Sequence, residues 1–299
     1  MFHFYRAAIG SPLVQVADVS ANLKTLKTLS ERAAKNGAAV VLFPELCLTG
    51  YTCGDLFFNS ALLRAAEDAL ADFADFSKDF DPMFILSLPL RWNGRLFNVA
   101  AAVRRGDVLG IVPKRHLPNY REFYEKRQFS SGANVTGATI DFAGRRDTPF
   151  GGDLLFSDGG DVVVSVEICE DLWSVIPPSS AAALAGANLL LNPSAGDELI
   201  GKSQYRRDLV RTQSARCVAA YCYAGAGVTE STADCVFSGH CLAAENGALL
   251  LDSPRFRRED ALHFVDFDLE RLENARIAET PFEDAAALAP RPNFRTVRT

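Results

Sequence analysis

Three apolar runs each end in a reactive side chain. Val40-Val41-Leu42-Phe43-Pro44 leads to Glu45, Val108-Leu109-Gly110-Ile111-Val112-Pro113 to Lys114, and Val162-Val163-Val164-Ser165-Val166-Glu167-Ile168 to Cys169. A carboxylate, an ammonium and a thiol at three strand ends can converge at one edge of a sheet, where open α/β folds place their sites. Together they suit acyl transfer, with a cysteine nucleophile, a glutamate base and a lysine facing the developing oxyanion. Pro44 and Pro113 cannot donate to a strand ladder, so Glu45 and Lys114 are expected at strand exits.

Each residue also has a plainer reading. A single cysteine after a buried strand is most often an inert core thiol. The plainer reading of Glu45 is a surface carboxylate, and that of Lys114 a solvated lysine in the polar group Lys114-Arg115-His116. Competing constellations are weaker. Cys217, Cys222, Cys235, His240 and Cys241 do not have the spacing of a zinc knuckle. A Ser-His-Asp triad lacks its Gly-x-Ser-x-Gly elbow, and Gly151-Gly152 and Gly159-Gly160 read as turn glycines rather than a phosphate loop.

The local words around the trio sharpen the choice. Phe43-Pro44-Glu45, Pro113-Lys114-Arg115-His116-Leu117-Pro118 and Glu167-Ile168-Cys169-Glu170-Asp171-Leu172-Trp173 resemble the Glu, Lys and Cys signatures of the nitrilase (carbon–nitrogen hydrolase) superfamily. They come in that family's order and spacing, and the resemblance runs over about residues 4–267. Glu45-Leu46-Cys47-Leu48-Thr49-Gly50-Tyr51, Leu117-Pro118-Asn119-Tyr120 and Gly227-Val228-Thr229-Glu230-Ser231-Thr232 are similar to one branch, the glutamine amidase domain of glutamine-dependent NAD synthetases.

That resemblance implies an α/β fold with the four-layer αββα sandwich of the superfamily. It implies hydrolysis of the L-glutamine side-chain amide through a thioester on Cys169, with Glu45 as base and Lys114, with a backbone N–H, at the oxyanion. Glu45 and Lys114 are expected to favour thiolate character. A second glutamate after the lysine is implied, Glu125 or else Glu122, and Tyr51 and Tyr120 match positions lining the glutamine pocket. Ser194 and Arg206 match the stretch that holds the substrate's amino-acid head, with Arg207 adjacent. No metal or organic cofactor is implied for this reaction; ATP and magnesium belong to the synthetase domain, which amidates nicotinic acid adenine dinucleotide with the ammonia. The ATP-binding Ser-Gly-Gly-x-Asp-Ser word of that domain does not occur in the chain, and Phe129-Ser130-Ser131-Gly132-Ala133 does not replace it. The expected partners are glutamine, a synthetase domain or subunit absent from this chain, and further copies in a homo-oligomer. Two other readings stand beside this one: a free-standing amidase for another small ω-amide, and a non-catalytic subunit using the fold for assembly.

Holding three strand ends together takes a covered sheet. A first strand is expected at 4–9, then a helix at 18–36, where Leu23, Leu26, Leu29 and Ala33 recur at helical spacing and Asn36-Gly37 forms a stop. A strand at 38–43, a helix at 60–76 and strands at 84–90, 97–104 and 108–112 follow, with a hairpin signal at Trp92-Asn93-Gly94. Residues 120–134 read as a polar and aromatic loop or short helix covering the site. The second half reads as strands at 153–156, 162–168, 188–191, 218–223, 235–243, 248–251 and 263–267, with helices at 180–185, 202–217 and 269–276. A second hairpin signal is Glu245-Asn246-Gly247. The hydrolase domain is thus expected over 1–275, and 276–299, with Pro290 and Pro292, as a linker or tail. Alternation supports only α/β; the layering comes from the resemblance.

The 299 residues suffice for one large α/β core. A net charge of −6 leaves no basic stripe for nucleic acid, and Arg206, Arg207 and Arg211 read as one helix face beside Asp208. No run of about 18 apolar residues offers a membrane span. The first ten residues, with His3, Tyr5 and Arg6, read as a strand and not a signal peptide. Seven cysteines without a CxxC pair fit reduced thiols, so the expected compartment is the cytoplasm.

Overall fold

The computed structural model describes residues 4–289 and 293–299. The readings that rest on the first three residues, and on Pro290 and Pro292, lie outside the described residues.

Seven strands follow one another through the first half: β1 (Phe4–Ser11), β2 (Val40–Leu42), β3 (Met83–Trp92), β4 (Arg95–Arg104), β5 (Asp107–Pro113), β6 (Ala138–Phe142) and β7 (Arg145–Phe150). Six more form the second half: β8 (Leu154–Ser157), β9 (Val163–Val166), β10 (Leu189–Ser194), β11 (Ala220–Gly225), β12 (Cys241–Glu245) and β13 (Ala248–Asp252). β14 (Ala261–Asp268) and β15 (Arg295–Arg298) complete them. The first sheet has the order β14-β1-β2-β3-β4-β5-β7-β6, the second β13-β12-β11-β10-β9-β8-β15.

Side-chain alternation builds four layers from these sheets. Ala7, Ile9, Val40, Leu42 and Ile85 point inward and meet Val164, Val166, Leu189, Leu191 and Cys222 of the other sheet in one buried cluster. Ala8, Val41 and Phe84 point the other way, onto α1 (Val19–Lys35) and α2 (Ser60–Phe76). Leu190, Tyr221 and Leu242 face α4 (Pro178–Leu184) and α5 (Lys202–Arg216) across the second sheet. Both faces of each central strand are covered, which is why these runs are apolar without interruption. Three further α-helices lie among the described residues: α3 (Glu170–Trp173) follows Cys169, and α6 (Leu269–Ala278) and α7 (Thr280–Leu288) follow β14.

The local signals act as expected in several places. Asp18 caps α1 by accepting from the Ala21 N–H, and Leu26, Leu29 and Ala33 form its buried stripe. The Asn93-Gly94 and Asn246-Gly247 pairs take positive φ, the backbone that joins tightly paired strands. No described helix is long and apolar enough to cross a membrane.

The structure adds to the expectations or departs from them in three places. β6 and β7 form an antiparallel hairpin in a stretch for which the sequence gives no expectation. The strand expected at 235–243 begins only at Cys241. Residues 276–299, expected as linker or tail, carry the end of α6, all of α7 and all of β15, and β15 pairs in parallel with β8. Arg295 holds that pairing: its guanidinium bonds both oxygens of Asp153 at 2.8 and 3.0 Å and the carbonyls of Ala138 and Phe150.

Candidate active site

β2 and β3 run parallel, β3–β4 and β4–β5 antiparallel, so β2 and β5 end at the same sheet edge. Glu45 lies three residues beyond β2 and Lys114 one beyond β5. Across the sandwich, β2 packs against β10 and β11, and β10 runs parallel to β9, the strand that leads to Cys169.

The sheet edges bring the expected residues together. Lys114 Nζ lies 2.6 Å from Glu45 Oε1 and 2.6 Å from Glu125 Oε1, and its side chain is wholly buried. Glu45 Oε1 also accepts from Asn98 Nδ2 at 2.7 Å, and Oε2 from the Ala195 N–H at 2.8 Å. Tyr51 donates its hydroxyl to Glu125 Oε1 at 2.7 Å, while Glu125 Oε2 has no hydrogen-bond partner. Of the two glutamates weighed for this position, Glu125 joins the ion cluster and Glu122 does not. Both Glu125 and Glu122 border a cavity of about 200 Å³, walled also by Tyr51, Phe123 and Phe237.

Charge is shared unevenly in this buried cluster. Burial pulls Lys114 down, but the carboxylates of Glu125 and Glu45 outweigh it and hold the ammonium well above its usual range. Burial lifts Glu125 to about 7 against the pull of Lys114. Burial and the Glu125 charge keep Tyr51 a hydroxyl donor.

Cys169 sits at a sharp change of direction between β9 and α3, with φ of 46° and ψ of −100°. Such a backbone costs about 1–3 kcal/mol in a non-glycine residue and needs its surroundings to hold it. The Cys169 N–H donates to Asn192 Oδ1 and to the Pro193 carbonyl, each at 3.0 Å. One residue past α3's start, the buried Asp171 accepts from the Ile168 N–H at 2.9 Å and from the His116 N–H at 2.8 Å. That one carboxylate stitches the Cys169 elbow to the segment after Lys114.

The thiol differs from expectation. Burial pushes it far up, the Glu45 charge adds to this, and Lys114 only partly opposes. The resting group is therefore a neutral thiol, and attack requires a base to take its proton. Glu45 and Lys114 are the charged groups that act on the thiol most strongly.

The remaining expected residues divide. Tyr51 is in the ion cluster, and its loop is pinned by Glu230, which accepts from the Tyr51 N–H at 2.7 Å, the Thr52 N–H at 3.0 Å and the Thr52 hydroxyl at 2.5 Å. Tyr120 is half exposed at the rim and bonds Glu170, the residue after Cys169, at 3.0 and 3.1 Å. Ser194 ends β10, donates to the Tyr223 hydroxyl at 2.7 Å and bears on the Cys169 thiol. Arg206 is buried with its guanidinium committed to Glu198 at 2.7 Å, to His240 Nδ1 and to the Asp197 carbonyl, leaving only Nε without a partner. Arg207 pairs with Asp252 at 2.8 Å instead. Lys202, which pairs with Asp197, lies over the rings of Trp173 and Phe123.

Sequence reasoning missed Asn98, Ala195, Asp171 and Glu170 as members of this site. Asp171 and Glu170 stood inside the quoted cysteine word; Asn98 and Ala195 carried no local signal.

Comparison with known proteins agrees with this geometry. The family model of the carbon–nitrogen hydrolases matches residues 6–277. The glutamine-dependent NAD(+) synthetase of Mycobacterium tuberculosis H37Rv is 44% identical over 283 residues, covering 94% of this chain and 41% of that protein. The chain thus spans about two fifths of such relatives. The crystal structure of a glutamine-dependent NAD(+) synthetase from Cytophaga hutchinsonii superposes with a TM-score of 0.80 at 29% identity, covering 89% of this chain and 43% of that one. An amidase of the nitrilase superfamily from Nesterenkonia AN1 shares the fold over nearly its whole length, with a TM-score of 0.71 at 22% identity, 93% of this chain and 96% of that one. Two stacked sheets with helices on both outer faces recur in these structures, and the family model spans nearly the whole chain: it belongs to the carbon–nitrogen hydrolase family.

Proposed function

We propose that the chain hydrolyses the side-chain amide of L-glutamine and that the ammonia serves NAD synthesis on a synthetase domain or subunit. The observation that carries this reading is the buried Glu45–Lys114–Glu125 cluster whose charges act on the Cys169 thiol. The 44% identity to a glutamine-dependent NAD(+) synthetase supports the substrate and the destination of the ammonia.

In this mechanism Glu45 takes the thiol proton as Sγ attacks the amide carbon. Lys114 and a backbone N–H at the start of α3 meet the oxyanion. Glu45 returns the proton to the departing nitrogen, so ammonia leaves and a thioester remains on Cys169. Glu45 then takes a proton from water, hydroxide adds to the thioester, and glutamate leaves with the thiol restored. Tyr51, Tyr120 and Ser194 border the substrate; Glu170, held by Tyr120, is the carboxylate at the rim available to an α-ammonium. Arg206 supports Tyr223 and Ser194 from behind. The steps use groups of this chain and water, with no metal or organic cofactor in this half-reaction. Seven free cysteines suit a reducing cytoplasm, and exposed Val175, Ile176 and Ile200 suit a homo-oligomer.

Ammonia release measured across L-glutamine, L-asparagine and simple aliphatic amides tests the reading. Preference for glutamine supports it. Preference for another ω-amide shows a free-standing amidase, and no release from any amide points to an assembly role.

A further inference from the structure

A chain of buried polar groups lies behind the cysteine elbow, and the hydrolysis above leaves it unused. Asn192 on β10, Tyr221 on β11 and Glu167, two residues before Cys169, are 0%, 0% and 2% exposed. The Cys169 N–H donates to Asn192 Oδ1 at 3.0 Å, Asn192 Nδ2 to the Tyr221 oxygen at 3.0 Å, and the Tyr221 hydroxyl to Glu167 Oε1 at 2.5 Å. Glu167 Oε2 accepts from the Ser179 N–H at 2.8 Å. The donors all run one way, from the nucleophile's backbone toward a carboxylate.

Direction matters because a side-chain amide can present either its oxygen or its nitrogen. Tyr221 spends its only proton on Glu167, so toward Asn192 it offers a lone pair. Nδ2 must then face Tyr221, which turns Oδ1 onto the Cys169 N–H. That N–H belongs to a residue at φ 46°, a backbone that relaxes unless its surroundings fix it. Asn192 and Pro193 are neighbours on one strand end, so both acceptors of this N–H come from the same rigid element.

We propose that Asn192 is a positioning residue for the nucleophile, its amide set in direction by Tyr221 and Glu167. This rests on Cys169 being the nucleophile. Asn192 acts on where Sγ points, so its loss lowers turnover and leaves substrate affinity nearly unchanged.

The test compares Asn192→Ala, Tyr221→Phe and the double variant of the 299-residue chain. It reads kcat and KM on glutamine, and the rate of iodoacetamide alkylation mapped to the Cys169 peptide. Asn192→Ala is expected to lower kcat by roughly 30-fold or more with KM within about 3-fold, the scale of a displaced reacting atom. Tyr221→Phe, which keeps its ring in place, is expected to lower kcat about 5-fold. The double variant should match Asn192→Ala within about 2-fold, because Tyr221 acts only through Asn192. Cys169 alkylation should slow in the same order. If Asn192→Ala does not fold, Tyr221→Phe decides. Kinetics within about 2-fold of wild type, effects that multiply in the double variant, or a loss confined to KM would overturn the proposal. A wild type that alkylates at Cys169 yet leaves glutamine intact would instead count against the substrate, and the alkylation rates would still judge Asn192.

Discussion

Both oxygens of Glu45 are already engaged by donors: Lys114 and Asn98 on one, the Ala195 N–H on the other. An isosteric amide cannot satisfy both sides, because its NH2 must meet one of those donors head-on. Glu45→Gln therefore removes the base and also loosens the lysine, and a loss of about 10²–10⁴ in kcat is expected from steady-state assays. Lys114→Met should be at least as damaging, since it strands two buried carboxylates that now share one ammonium. Retention of more than about a tenth of wild-type rate by either variant would remove it from the mechanism. The trio was legible because each member follows an apolar run and stands in a distinctive word. Asn98 and Ala195 were not, since they reach Glu45 from 53 and 150 residues away and look locally like ordinary strand and loop residues. The neutral state of the Cys169 thiol was equally hidden, because burial decides it and burial is a property of the packed sandwich.

Among the elements, those with a strong period or a turn pair were legible and those held by distant partners were not. The β6–β7 hairpin turns on Ala143-Gly144, both at positive φ, and starts its second strand with Arg145, Arg146 and Asp147, so neither composition nor turn chemistry announces a strand. β15 is four residues long and reads as tail until Arg295 meets Asp153, 142 residues earlier. Arg295→Ala is expected to release β15: deuterium uptake at 295–298 should rise well above wild type, while uptake in β10 and β11 stays unchanged. The end of β9 supplies a pH prediction. Burial lifts Glu167 to about 7, against the pull of the Tyr221 and Ser179 donors. Between the usual carboxyl value, near 4.5, and 7, the folded chain holds a proton there that the unfolded chain has lost. Glu167 therefore costs stability as pH rises through that window. Melting temperatures of wild type should fall relative to Glu167→Gln between pH 4.5 and 7.5; a constant difference would mean Glu167 does not titrate there.

At the scale of the molecule, the two sheets explain why residues from four separate segments share one buried site. The inter-sheet cluster fixes β2 against β10 and β11, and thereby Glu45 against Ala195. The resemblance supplied this layering; hydrophobic alternation alone did not distinguish one covered sheet from two. Because the hydrolytic groups all lie within this chain, glutamine hydrolysis is expected to proceed without ATP or nicotinic acid adenine dinucleotide, and the purified chain should form no NAD from ammonia, ATP and that dinucleotide. NAD in that assay would place synthetase chemistry where this account has none. The central claim is narrower: Cys169 attacks the side-chain carbonyl of glutamine. Cys47 and Cys53 are buried as well and are pushed up to about 12 chiefly by burial, with no lysine among the groups that act on them. Reaction with a glutamine-mimicking diazo-ketone, followed by digestion and mass mapping, tests this most directly. The account predicts one stoichiometric adduct on the Cys169 peptide, slowed by excess L-glutamine; an adduct on Cys47, Cys53 or Cys222 with Cys169 unmodified would contradict it.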